Sequence, residues 1–152
     1  MFEVPVSGYP VEAEEASTLT RELLQANDAD FRLVQDNAEA NLELVKKLRK
    51  VRENRDTFLG AGLFFDPAWD ILLTLYVSKV QQIRLKRGSV IEESGVPATT
   101  VFRWINVLSE RGFIVTTNNP TDARSSLVEL TDLAAAKMTR YLNYFCSELS
   151  EI

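Results

Sequence analysis

The stretch Ser94-Gly95-Val96-Pro97-Ala98-Thr99-Thr100-Val101-Phe102-Arg103-Trp104-Ile105-Asn106-Val107-Leu108-Ser109-Glu110-Arg111-Gly112-Phe113-Ile114 decides the fold. Gly95 ends one helix and Val96-Pro97 opens the next, because proline costs least where a helix needs no amide donor. Val101, Ile105 and Leu108 recur at helical spacing and face inward, and Gly112 supplies the stop. Trp104, beside these positions, reads as core packing. Upstream, about Lys86 to Ser94 reads as a short polar helix. Downstream, Phe113 to Thr117 has the β-branched content of a strand, with Leu127 to Leu130 as its partner and Asn118 to Ser125 as a long, turn-rich tip.

Helix, tight glycine turn, helix and hairpin make a helix-turn-helix followed by a wing. Moving outward, Asp66-Pro67 reads as the start of a preceding helix, Asp as N-cap and Pro at the first helical position, with Trp69, Leu72, Leu73, Tyr76 and Val80 as its buried face. Before that, Phe31, Val34, Ala38, Leu42, Val45, Leu48 and Val51 form the stripe of a single long helix stopped by Gly60 and Gly62. A stripe of this length exceeds what one small domain covers, so part of it is expected to lie against a second subunit. The run Lys46, Lys47, Arg49, Lys50, Arg52 and Arg55 is read chiefly as complementing the helix macrodipole, with a phosphate patch as the alternative. A short helical stretch is expected near Ser17 to Gln25, and an extended or disordered arm over Phe2 to Pro10. At the other end Thr131-Asp132 caps a last helix whose Leu133, Ala136, Met138, Tyr141, Leu142, Phe145 and Leu149 supply apolar surface, so the C-terminus is expected to be docked.

The expected fold is therefore mainly α with a small β-hairpin wing. Residues 1–16 are the arm, 17–62 an N-terminal helical dimerisation region, 63–131 the winged helix-turn-helix and 132–152 a C-terminal dimerisation helix.

Composition narrows the function. A chain of 152 residues, 45% hydrophobic and 26% charged, suits one domain that buries roughly 70% of its unfolded surface. One cysteine and no histidine exclude intramolecular disulfides, Cys-rich zinc sites, Ser-His-Asp triads and Cys-His pairs. Cys146 has apolar sequence neighbours and reads as a buried, inert thiol. Glu92 and Glu93 are adjacent, so on a helix they diverge by about 100° and form no acid/base pair. With no glycine-rich phosphate loop or dinucleotide fingerprint, neither an enzyme nor a cofactor is expected. No apolar run is long enough to span a bilayer, and Met1 to Glu15 carries four Glu and no Lys or Arg, unlike a signal peptide. The chain reads as cytoplasmic, with no membrane partner.

The net charge of −5 opposes nonspecific attraction to a polyanion. It is unevenly spread: Met1 to Glu43 holds ten acids against Arg21 and Arg32, whereas Arg84, Lys86, Arg87, Arg103, Arg111 and Arg124 outnumber Glu92, Glu93, Glu110 and Asp122. Any phosphate is expected to meet this second stretch. There, small Ala98, Thr99 and Thr100 allow close approach to a major groove, Phe102 suits a thymine methyl, and Arg103 suits guanine or phosphate. A hairpin cation beside the helix suits the minor groove.

The same residues carry a family resemblance. The segment Ser94 to Ile114, with Asp122-Ala123-Arg124 and the Val128-Glu129-Leu130-Thr131 that follows, resembles the recognition helix and Asp-x-Arg wing of the MarR family (multiple antibiotic resistance regulators). The resemblance covers about Asp66 to Asn143. It implies a homodimeric transcription regulator on double-stranded DNA, often a repressor at a pseudo-palindromic operator released by a small ligand. It places Arg124 in the minor groove, has Asp122 hold the wing tip by pairing with a nearby Arg, and sets Thr99, Thr100 and Arg103 at the major groove. The full DNA-binding set is Ala98, Thr99, Thr100, Phe102, Arg103 and Asn106 on the helix and Asp122 and Arg124 on the wing. Family members commonly have Ser where Pro97 stands and more Lys and Arg than Asn118-Asn119-Pro120-Thr121, which implies modest, strongly salt-dependent affinity.

Other roles are open for these residues. Arg124 and Asp122 could form a surface ion pair, Arg103 could pair with a neighbouring carboxylate, and Phe64, Trp69 and Tyr76 could line a ligand pocket, although aromatics at helical spacing are usually core. An effector, where one exists, is expected to be a small aromatic molecule in a cleft near the long helix. The competing function is an acidic winged-helix module that binds a protein partner and little DNA. The two are separated by whether the strip through Thr99, Arg103 and Arg124 is continuous or is interrupted by Glu92, Glu93 and Glu110.

Overall fold

The computed structural model describes residues 27–152. In chain order the elements are α1 (Asp28–Asp36), α2 (Ala38–Leu59), α3 (Pro67–Val80), β1 (Leu85–Lys86), α4 (Arg87–Ser94), α5 (Ala98–Glu110), β2 (Ile114–Asn119), β3 (Asp122–Leu130) and α6 (Asp132–Ser150). The arm and the short helix expected ahead of residue 27 lie outside the described residues.

Polar side chains decide the first two helices. Asn27 accepts from the Asp30 amide at 3.1 Å while the Asp30 carboxylate accepts from the Asn27 amide at 3.3 Å, a reciprocal cap for α1. The single helix expected through Phe31 and Val51 is instead two, broken at Asn37. The Asn37 amide group donates to the Leu33 carbonyl at 2.8 Å and its oxygen accepts from Asn143 of α6 at 3.2 Å. A side chain that offers the backbone such local bonds competes with the regular ladder. The expected apolar stripe is also only partly right. Val45 is fully buried, but Phe31 is 55% and Val51 70% exposed, and the buried face carries Asp30 and Asn41.

Those buried polar groups are matched across the fold, as burial requires. Arg140 of α6 donates to Asp30 at 2.6 Å. Asn41 donates to the Tyr76 hydroxyl at 3.2 Å; Tyr76 is 2.8 Å from Thr139 Oγ1, which itself donates to the Ala135 carbonyl at 2.9 Å. The Thr139 proton is thus committed, so Tyr76 donates to Thr139, and a relay runs from α2 through α3 to α6.

The basic run of α2 does not complement the macrodipole, because the last turn holds no cation. Instead Arg49 donates to Thr74 Oγ1 at 2.6 Å and Arg52 to Asp70 at 2.7 Å, tying α2 to α3. Burial pushes the Asp70 carboxyl up, against the pull of Arg52. Asp66 makes no side-chain cap on α3, although Pro67 does occupy its first turn. Its carboxylate lies 4.0 Å from Arg52 instead.

Ile71, Leu73, Leu75 and Tyr76 of α3 form the centre of one core, joined by Val101, Ile105 and Leu108 of α5, Ile114, Val128 and Leu130 of the sheet, and Leu133, Met138 and Leu142 of α6. The sheet is antiparallel in the order β1-β3-β2. β1 is an addition to the expected hairpin: Leu85 pairs with Val128 and Lys86 with Leu127, so an edge strand joins α3 to α4. Thr131 caps α6 by accepting from the Ala134 amide at 3.2 Å. The end of α6 is not docked on its own chain, since Tyr144, Leu149 and Ile152 are exposed. Cys146 is exposed too, which corrects the buried reading; it falls on the outward side of this last, uncovered stretch.

Candidate nucleic-acid interface

α4 is capped by Gly95, which takes the left-handed conformation at φ +69°, and α5 begins three residues beyond it, at Ala98. This tight reversal sets α5 with Val101, Ile105 and Leu108 inward and leaves Ala98, Thr99, Phe102, Arg103 and Asn106 exposed, with Thr100 half-buried. Trp104 is half-buried against the core, as its position suggested. Pro97 offers α5 no side-chain cap. The first-turn amides therefore keep their donors for water or for an anion.

The wing is tighter than the sequence suggests. Residues 118–125 are not a loop: β2 continues to Asn119 and β3 resumes at Asp122, with a register shift at Asn118 and Asn119. Only Pro120 and Thr121 lie between the strands. Buried Asn119 explains the closure, because its Oδ1 accepts from the Thr121 amide at 3.1 Å and hydroxyl at 2.9 Å while its Nδ2 donates to Ser125 at 2.9 Å. Asp122 was expected to hold the tip by pairing with an Arg. Among the described residues it makes no ion pair with an Arg and instead accepts from the Arg124 main-chain amide at 3.0 Å. The Arg124 side chain is exposed and, among the described residues, makes no ion pair; the same is true of Arg103. Neither takes the surface-pair role that was open to it.

Helix and wing meet across an open cleft of about 510 Å³, lined by Phe102 of α5, Arg124 to Ser126 of β3, and Lys86, Arg87 and Glu92 around α4. The feature that was not singled out from sequence is the pair Lys86-Arg87. Their charge placed them in the basic stretch, but only the pairing of β1 with β3 brings them beneath the wing. Of the three acids named as interruptions, Glu92 stands in this cleft. Glu93 lies in the field of Arg49 on α2, and Glu110 ends α5 far from Ala98.

A second cleft, of about 660 Å³, lies between α1, the end of α3 and the base of the sheet, with Phe31, Val34 and Ile83 among its apolar walls. Its polar wall is an ion cluster: Lys79 reaches Glu129 at 3.1 Å and Asp132 at 2.9 Å, and Arg84 reaches Glu129 at 3.1 Å. Burial works against the Lys79 ammonium, but its bonds to Asp132 and Glu129 together outweigh it and raise its pKa. Phe64, Trp69 and Tyr76 do not line this cleft. Tyr76 is core, Trp69 meets Tyr141 edge-on at 5.5 Å, and Phe64 lies under the Arg55 guanidinium at 4.1 Å.

A short helix, a left-handed glycine turn, an exposed second helix and a three-stranded sheet ending in a closed hairpin define a winged helix-turn-helix fold. Among solved structures the chain is similar to the PcaV transcriptional regulator from Streptomyces coelicolor, in complex with its natural ligand, at 22% identity over 71% of this chain and 73% of that one, with a TM-score of 0.46. It is also similar to the adhesin competence repressor (AdcR) from Streptococcus pyogenes, at 22% identity over 70% of this chain and 81% of that one, with a TM-score of 0.41. No family model and no curated protein matches the chain. Among the described residues no helix is long and apolar enough to cross a membrane, and no group of three His, Cys, Asp or Glu could hold a metal.

Proposed function

We propose that this chain is a DNA-binding transcription regulator of the MarR type, a homodimeric repressor on a pseudo-palindromic operator. The observation that carries the reading is that Arg103 and Arg124, on helix and wing, are exposed and without ion pairs among the described residues. In this reading Ala98, Thr99, Thr100, Phe102, Arg103 and Asn106 lie at the major groove, where an Arg fork and an apolar ring discriminate base edges. Arg124 enters the minor groove, held out by the Asp122 turn.

The dimer reading is supported by what the single chain leaves uncovered. Phe58, Leu59, Leu63 and Phe65 past α2, and Tyr144 and Leu149 on α6, are exposed large apolar side chains. Exposed apolar side chains of this size and number suit an interface. A two-fold axis through it would give two recognition helices and hence a palindromic site.

The effector belongs in the 660 Å³ cleft, whose size is in the range of small-molecule sites. Phe31 and Val34 suit an aromatic ring. Glu129 links the cleft to β3, the strand that also carries Arg124, so a ligand competing for Lys79 or Arg84 acts on the base of the wing.

The test is binding to a fluorescent duplex from the region upstream of the protein's own gene, at several salt concentrations. Tight, salt-sensitive binding weakened by Arg103→Ala and Arg124→Ala supports the regulator. Absence of binding at low salt sinks it for that DNA. The second reading, an acidic module for a protein partner, is favoured by Glu92 within the cleft and by the net charge of −5. A pull-down with the intact chain would then be the next step.

A further inference from the structure

We infer that the cleft beneath the wing is a seat for one backbone phosphate of a DNA duplex, gripped by Lys86 and Arg87 beside Arg124. The inference rests on the DNA-binding reading above and adds to it a second kind of contact, one that positions the protein without reading sequence.

Charge is the first argument. The cleft brings Lys86, Arg87 and Arg124 to one opening against the single carboxylate of Glu92. In a chain whose overall charge is −5, such a local excess of cations runs against the average. Among the described residues none of the three is in an ion pair, whereas Arg52, Lys79 and Arg140 elsewhere all are.

Arg87 supplies the second argument. It is half-buried, its Nε is enclosed with no acceptor, and its guanidinium lies 6.0 Å from the centre of the Phe102 ring. Desolvating a donor without a partner is unfavourable. A charge-assisted bond from the rest of the planar fork to a phosphate offsets that cost, and arginine geometry matches the phosphate oxygens. The contact at Phe102 is at the outer limit of a cation–π interaction, so it restrains the side chain more than it satisfies it.

Space and position are the third. Gly88 opens the floor: a Cβ built there would meet nothing within 4 Å. Phe102 belongs both to this cleft and to the exposed face of α5. A phosphate held here therefore neighbours the bases that α5 would read, which fixes the register of the helix in its groove.

The test uses the full chain and a fluorescent mixed-sequence duplex, with KCl varied and Arg87→Ala and Lys86→Ala compared with wild type. A phosphate contact predicts that each variant binds several-fold more weakly, that the slope of log affinity against log salt falls by about 1, and that preference between an upstream-region duplex and the mixed one is unchanged. Thermal melting of Arg87→Ala should match wild type, since Nε has no hydrogen bond to lose. If wild type binds and both variants keep its slope, the seat is wrong while the DNA reading stands. A lowered melting temperature with an unchanged slope likewise overturns the inference and makes Arg87 a packing residue. If wild type binds no duplex at the lowest salt, the DNA reading itself fails and takes the seat with it. A parallel titration at constant ionic strength, with inorganic phosphate replacing chloride, separates the sources. An affinity difference between wild type and the variants that persists supports the duplex, and one that vanishes in phosphate assigns the seat to free phosphate and overturns the duplex assignment.

Discussion

Arginines at the two ends of this molecule sit in opposite circumstances. On the α1–α2–α6 side three are committed: Arg49 to Thr74, Arg52 to Asp70, Arg140 to Asp30. On the α4–α5–wing side Arg87, Arg103 and Arg124 have no ion pair among the described residues. The residue type is the same, so its identity does not tell a structural cation from a binding one. What separates them is whether the fold brings a carboxylate or hydroxyl within reach. One region uses three arginines to hold helices together, and the other leaves three without an ion pair among the described residues.

Tyr76→Phe should cost the most, about 1–3 kcal/mol, because it strands the Asn41 amide in the core and takes from the Thr139 oxygen the donor it accepts from. Denaturant unfolding with an unchanged m-value checks it. Asp30→Asn comes next, at about 1–2 kcal/mol, since Arg140 loses a charged acceptor but is itself largely exposed.

The same carboxylate gives a pH signature. The Arg140 hydrogen bond holds Asp30 below its ordinary value, against the effect of burial. A depressed folded pKa contributes stability that is fully present above the unfolded value of about 3.9 and is lost as pH falls through the folded one. Wild type should therefore lose stability more steeply than Asp30→Asn below about pH 4, as acid titration of the melting temperature would show. If the two acid limbs coincide, the pair is not structural in the sense claimed.

The smallest effect sharpens the binding side. Glu92 is the carboxylate in the cleft beneath the wing, so Glu92→Gln should tighten duplex binding by about two- to fivefold at low salt and by less at high salt. Fluorescence anisotropy across a salt series measures it, and weaker binding by the variant would place the interface elsewhere.

Where local chemistry determines structure, the sequence was readable. Gly95, the inward triad of α5 and the Thr131 cap are all signals within a few residues, and all appear where their spacing puts them. The exposed face of α5 and the wing position of Arg124 follow directly from that framework. The losses share a cause at longer range. Asp30 meets a partner 110 residues away and Asn37 one 106 residues away, so nothing near either residue marks it as matched. The helix break and the polar buried face were invisible for this reason. β1 spans two residues, too few for any periodicity to register. The polar run 118–125 reads as a long loop because side-chain closure by Asn119 and a long loop draw on the same residue types. Lys86 and Arg87 were visible as charge but not as a site, because their place beneath the wing depends on the pairing of β1 with β3.

Two double variants, Arg103→Ala with Arg124→Ala and Arg52→Ala with Arg140→Ala, compared side by side for duplex affinity and melting temperature, separate binding arginines from structural ones. The account predicts that the first pair loses on the order of 100-fold in affinity at an unchanged melting temperature, and that the second melts earlier while its folded fraction binds DNA as wild type does. A first pair that binds as tightly as wild type, or two pairs that lose stability and affinity alike, would contradict it.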